Sequence, residues 1–300
     1  MYSMNTPSSS PCVDTHFHIF DAGVAVQGAR YVPAYAATLD QWWALAGATG
    51  VTHGVLVQPS FLGTDNRLML EGLAACPGRL VGIAVVEPTI TAQELTQMHA
   101  VGVRGIRFNL VGGDHRLDDC NLNAVFWDHL IAQGWHVEIH TDPGRLPEVL
   151  PQLPTGLRVV VDHMAKPLQA LPSDPTLQIL HRYGEDRVTV KLSGAYRQAG
   201  ADAGDLAQAL LGELGSSALV WGSDWPCTNH ESSADYPSLR SSLTRWVGEK
   251  HSDEIMSLNP MRLYWGRQPN DLIAEPKEYE LTSLTTADRT SSNPPRSKPA

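Results

Sequence analysis

VDTHFHIF, residues 13–20, is a short apolar run that carries two histidines, His16 and His18, near its end. Rich in β-branched and aromatic residues and bounded by polar ones, it reads as a buried strand. Seven runs of the same character follow: HGVLVQPS (53–60), LVGIAVVE (80–87), VRGIRFNL (103–110), WHVEIH (135–140), LRVVVDHM (157–164), RVTVKLSG (187–194) and ALVWGSDW (218–225). Stretches of helical spacing or composition lie between them, among them Leu39–Ala48, Asp65–Ala75, Leu122–Gln133 and Asp202–Leu214. Eight strand–helix units in about 255 residues predict an α/β protein, a single-domain (β/α)8 TIM barrel. The alternative is an open doubly wound sheet. It normally has fewer strands, and no GxGxxG follows the first run.

Composition narrows the function. The chain has 300 residues, 42% of them apolar and 18% charged, which is a globular composition. Its net charge is −10 and its pI about 5.6, which excludes an electrostatic grip on nucleic acid or on an anionic membrane surface. An anionic ligand would need specific arginines to hold it against that background. No run of 18 apolar residues predicts a membrane span. The start, MYSMNTPSSSP, lacks the basic and apolar parts of a secretory signal. Four scattered cysteines, Cys12, Cys76, Cys120 and Cys227, suit free thiols in a reducing cytoplasm better than disulfides or a Cys-zinc site. We expect a flexible N-terminus (1–11), a barrel over 12–268 and a disordered Ser/Thr/Pro-rich tail (269–300).

In such a barrel the active site lies at the C-terminal ends of the strands. His16 and His18 end the first strand, and alternation puts both on one face. His140 ends the fifth strand, His163 the sixth, and Asp224 lies just past the eighth. Imidazoles with one carboxylate form a donor set for a divalent metal, with His16, His18, His140 and Asp224 as ligands. His163 is assigned a catalytic or substrate-contacting role. The remaining histidines sit on expected helices, strand starts or loops and read as structural. Glu138 shares parity with His140, so it needs a buried partner that the sequence does not name.

In the fourth strand, parity separates Arg107 and Asn109, which approach the mouth, from Arg104, which points away. Arg107 is the candidate for a bidentate grip on a substrate carboxylate. Tyr196 and Arg197 open the seventh loop and are placed to close over an anionic ligand. Ser60 reads equally as a substrate contact or a turn residue. Asn229 reaches the site from the eighth loop. His115 and Arg116 lie in the fourth loop.

VDTHFHIFD, VQPSFLGTDN, GVRGIRFNL, VVVDHMAKP, KLSGAYR, LVWGSDWP and NPMRLYWG together resemble the amidohydrolase superfamily. More narrowly, they resemble the branch holding 2-pyrone-4,6-dicarboxylate lactonase and the sugar-acid and muconolactone-type lactonases. The likeness runs from Val13 to Gly266. It implies a barrel that hydrolyses carboxylate-bearing lactones, with His16, His18, His163 and Asp224 at catalytic positions and Arg107 on a substrate carboxylate. Two departures stand out. The pyrone enzymes work without metal and carry a tyrosine where this chain has His140, a ligand of the metal-using members. They also carry a second carboxylate-binding arginine shortly after the RFN segment, where this chain has Gly112 and Gly113, with Arg116 a few residues on. The resemblance therefore implies a zinc-dependent lactonase acting on a small anionic lactone other than the pyrone dicarboxylate, in aromatic or sugar-acid catabolism. A metal-free lactonase and a non-oxidative decarboxylase are the alternatives. Barrels of this kind often form homodimers.

Overall fold

The computed structural model describes residues 10–117, 122–198 and 200–267. Eight strands pair in parallel and in chain order: β1 (Val13–Phe17), β2 (His53–Val57), β3 (Leu80–Ala84), β4 (Val103–Asn109), β5 (His136–His140), β6 (Val159–Val161), β7 (Val188–Leu192) and β8 (Leu219–Trp221). Each apolar run quoted above contains one of them. The sheet curls until its ends meet. His18 N–H donates to the Trp225 carbonyl and Asp224 N–H to the His16 carbonyl, both at 2.8 Å. The architecture is the expected (β/α)8 barrel.

Nine helices are described: α1 (Leu39–Ala48), α2 (Arg67–Ala75), α3 (Ala92–Val101), α4 (Ala124–Ala132), α5 (Leu146–Val149), α6 (Pro175–Tyr183), α7 (Ala203–Leu214), α8 (Tyr236–Asp253) and α9 (Asn259–Trp265). Thr38, Thr91, Asn123, Asp174, Asp202 and Asp235 cap six of them, each side chain accepting from a first-turn N–H. These short polar residues satisfy N–H groups that would otherwise lack partners. The expected tail (269–300) and residues 1–9 of the expected N-terminus lie outside the described residues, as does Cys120. Cys12, Cys76 and Cys227 are free thiols. Among the described residues, no helix is long and apolar enough to cross a membrane.

The main core lies between strands and helices. Leu56, Ile106, Ile139, Val161, Val190 and Trp221 pack there with Trp42, Leu73, Leu130, Leu180 and Leu210. The barrel interior is divided. On one side Val55, Val57, Val81 and Ile83 pack against Tyr264 of α9. The Tyr264 hydroxyl donates to Glu138 Oε1 at 3.2 Å, and its ring lies 5.2 Å from that of His136. A side chain that meets β2, β3 and β5 at once must enter the barrel, so α9 plugs the end opposite the active rim.

The other side of the interior is ionic. Lys191 on β7 sits 2.6 Å from Glu138 and 3.5 Å from Asp162, which Arg107 also binds at 2.9 Å. Lys191 is thus the partner that Glu138 required. Charges alternate in sign through this network, as burial demands. Burial would raise the Glu138 and Asp162 carboxyls, but Lys191 together with His136 outweighs it at Glu138, and His16 with Arg107 and Lys191 does so at Asp162. Both carboxyls lie below the usual carboxylate range.

Parity places Arg104 correctly: it faces outward and donates to the His99 and Val103 carbonyls. Parity fails in β1. Asp14 and His16 are two residues apart, yet the β1–β2 register shifts between Asp14 and Phe17. Asp14 therefore turns toward the helices, accepting from Trp42 Nε1 at 3.1 Å and the Tyr236 hydroxyl at 2.9 Å, while His16 turns inward.

Candidate active site

The rim encloses a cavity of about 520 Å³. His18, Ser60, Arg107, Asn109, His140, His163, Arg197, Asp224 and Asn229 line it, and so does Arg30, which sequence reading overlooked. Of the expected site residues, only His16 and Tyr196 do not line the cavity. Both touch residues that do.

Asp224 is the centre of the site. Its backbone is left-handed, φ 58°, a cost of about 1–2 kcal/mol that structures tend to bear where function demands it. The Tyr196 hydroxyl and Arg197 Nε both donate to Oδ2, at 2.8 and 2.6 Å. Oδ1 stands 3.7 Å from His16 Nε2 and 3.5 Å from His18 Nε2. Burial would raise the Asp224 carboxyl, but Arg197 and His163 hold it well below the usual range. The residue is an ionised, buried carboxylate with one oxygen fixed and the other facing two imidazoles. Tyr196 and Arg197, expected to close over a ligand, instead hold this carboxylate.

His16, His18 and Asp224 are grouped so that they could hold a metal ion. The two imidazole–carboxylate separations, 3.7 and 3.5 Å, lie near the ~3.4 Å edge of a tetrahedron with ~2.1 Å bonds. The second nitrogens are arranged accordingly. His18 Nδ1–H donates to the Val57 carbonyl at 2.7 Å, which leaves the Nε2 lone pair facing Asp224. His16 Nδ1 lies 3.2 Å from Asp162 Oδ1 and 3.1 Å from Lys191 Nζ. Donating to Asp162 frees Nε2 for a cation, whereas accepting from Lys191 puts the hydrogen on Nε2. Nε2 itself is buried without a hydrogen-bond partner, as an empty ligand position would be.

His140 does not join this set. Its Nδ1 is 3.2 Å from an Arg107 amino group and its Nε2 is 2.7 Å from Lys166 Nζ. A basic side chain stands at each ring nitrogen, so the single lone pair of the neutral ring is engaged whichever nitrogen carries it. Lys166 is buried, and burial lowers it to about 8. Arg107 is itself committed to Asp162 and His140, though it still lines the cavity.

His163 opens a run of four left-handed residues, His163, Met164, Ala165 and Lys166. The turn is held by Gly144 N–H on the Lys166 carbonyl at 2.9 Å and by the Gln198 amide on the His163 carbonyl at 3.0 Å. The run brings Nδ1 to 3.0 Å from Ser193 Oγ. Because Oγ also accepts from the His163 backbone N–H, its hydroxyl hydrogen is free to donate to Nδ1. In the tautomer in which Nδ1 accepts from that hydroxyl, His163 carries its hydrogen on Nε2 as a donor. Gly194 makes the approach feasible, since a Cβ there would lie 2.7 Å from Nδ1.

Burial lowers His16 to about 4, and it takes His140 and His163 well below 6.5. The unfolded chain binds these protons near pH 6.5, and the folded protein does not. Acid therefore favours unfolding between pH 6.5 and about 4, by up to about 1.4 kcal/mol per pH unit for each histidine. The low-lying Asp162 and Asp224 keep their contributions through this window and lose them only at lower pH, while Asp14, raised by burial, acts in the opposite direction. Chelator-treated protein should show a lower denaturant midpoint at pH 5 than at pH 7. Equal midpoints would contradict three neutral, buried histidines.

Comparison with known proteins agrees with the geometry. The Amidohydrolase family matches residues 13–265. A 2-pyrone-4,6-dicarboxylate hydrolase of Comamonas testosteroni is 30% identical over 84% of this chain and 90% of its own. A 4-sulfomuconolactone hydrolase of Rhizobium radiobacter is 28% identical over 84% and 89%. The crystal structure of a probable 2-pyrone-4,6-dicarboxylic acid hydrolase from Acinetobacter baumannii, with citric acid bound, is 33% identical and superposes with a TM-score of 0.76, covering 85% of this chain and 99% of that one. The chain belongs to the amidohydrolase family.

Proposed function

We propose that the protein hydrolyses a carboxylate-bearing lactone by adding water to the ring carbonyl. One observation carries this reading: Asp224, which lines the cavity, is an ionised carboxylate fixed through Oδ2 by Tyr196 and Arg197, with Oδ1 facing His16 and His18. Asp224 takes a proton from the attacking water, whose oxygen bonds to the carbonyl carbon. The carbonyl electron pair moves onto oxygen, where the His163 Nε2–H donates to it. One such donor is worth about 3–4 kcal/mol of barrier. When the pair returns, the ring C–O bond breaks, and protonated Asp224 passes its proton to the departing oxygen. Arg107, Asn109 and Ser60 line the side of the cavity where the substrate carboxylate would sit. The product is a ring-opened hydroxy or oxo acid.

His16, His18 and Asp224 would hold a divalent cation, zinc by ligand type, which when bound polarises a carbonyl and lowers the pKa of water. The His140 ring, between Arg107 and Lys166, instead orients Arg107.

The test is a panel of muconolactones, sugar-acid lactones and pyrone carboxylates, assayed after chelation and after adding zinc. We expect ring opening of a carboxylate-bearing member, lost on chelation and restored by zinc. Full activity after chelation would contradict the cation. Release of carbon dioxide without ring opening would contradict lactone hydrolysis in favour of decarboxylation.

A further inference from the structure

Among the described residues three arginines line the cavity, and two are ion-paired: Arg107 with Asp162 at 2.9 Å and Arg197 with Asp224 at 2.6 Å. Arg30 differs. Among the described residues, no carboxylate lies within ion-pair distance of it, and its hydrogen bond goes to the Val111 carbonyl. A cation that faces a cavity with only a neutral acceptor retains its charge for an anionic ligand.

The fold gives Arg30 a seat. It lies on the β1–α1 loop between Ala29 and Tyr31, both packed on the Phe20, Phe61 and Leu62 cluster. The Tyr31 and Tyr35 hydroxyls tie that loop to Glu231, at 3.3 and 2.7 Å. Across the mouth, Arg30 reaches the loop after β4 at Val111 and Gly112. A Cβ at residue 112 would lie 2.7 Å from the Arg30 Nη1, and Gly112 has φ +75°, so a side chain there would displace the guanidinium. Arg107 is nearly buried, whereas Arg30 is exposed at the rim. The two therefore mark an inner guanidinium paired with a carboxylate and an outer, unpaired one in the same cavity, in a protein whose net charge is −10.

We propose that Arg30 is a specificity-determining residue that reads a second anionic group on the substrate, so that the site selects dianionic over monoanionic lactones. This rests on the lactonase reading for the identity of the substrate, but not for the charge selection.

The test separates the two. Benzene-1,3-dicarboxylate and benzoate are stable ring acids that differ by one carboxylate, and calorimetry gives their affinities for the intact protein and for Arg30→Met. The unsubstituted protein should bind the dicarboxylate about 10-fold more tightly, and Arg30→Met should reduce that ratio to near 1, with Arg30→Lys between them. An exposed side chain leaves the melting temperature unchanged, so loss of the ratio reports the site. A ratio near 1 in the unsubstituted protein, binding of neither acid, or a ratio that survives Arg30→Met would overturn the proposal. If no lactone is opened but the Arg30-dependent ratio is present, the lactonase reading fails and the charge selection stands.

Discussion

Asp224→Asn should lower kcat by about 10²–10⁴-fold, the range typical of a lost general base. The amide matches the carboxylate in size and can still accept from the Tyr196 hydroxyl, but it cannot take a proton from water. It also removes the negative charge beside Arg197, which donates to Oδ2 at 2.6 Å and to the Thr228 carbonyl at 3.1 Å. Arg197 is partly exposed and keeps its Thr228 contact, so the barrel should still fold. Circular dichroism checks the fold, and steady-state kinetics separate kcat from KM. A kcat within tenfold of the parent would remove Asp224 from the role assigned to it.

Lys191→Met should destabilise the protein by about 3–5 kcal/mol, the usual cost of removing one partner from a buried ion pair. Lys191 is fully buried with Nζ 2.6 Å from Glu138 Oε1 and 3.1 Å from His16 Nδ1. Methionine fills similar space but leaves Glu138 ionised and buried, with its Oε2 already lacking a partner. Asp162 suffers less because Arg107 remains. Adding Glu138→Gln should recover part of the loss, since the stranded charge is gone, and that recovery measures the coupling between the two residues. Denaturant unfolding provides the check. A single variant within about 1 kcal/mol of the parent would show that the interior network carries little stability.

The strands were legible because burial on both faces writes them as continuous apolar runs, and the site histidines were legible because they stand at the ends of those runs. Parity worked for Arg104 and Arg107, where β4 is regular. It does not extend to Asp14, because a register shift in β1 leaves no mark in composition. The other omissions share one cause: they depend on contacts between distant segments. Lys191 meets His16 across 175 residues, and Arg30 meets Val111 across 81. Gly112 and Gly113 read as a missing anion contact, yet Gly112 leaves the space that Arg30 enters from another loop. The sequence put His140 at the right rim, but only the fold shows Arg107 and Lys166 on its two nitrogens. Likewise Tyr196 and Arg197 were found as site residues, while their attachment to Asp224 depends on how two loops meet.

In the proposed reaction, water adds to a ring carbonyl with Asp224 as its base. The most direct measurement is turnover of the active panel lactone in ¹⁸O-water, followed by mass spectrometry of the product. The expected product is a ring-opened acid carrying one ¹⁸O, located in the carboxylate derived from the lactone carbonyl, at a rate that falls with Asp224→Asn. A product with the label on the departing hydroxyl, or one lighter by carbon dioxide and unlabelled, would contradict it.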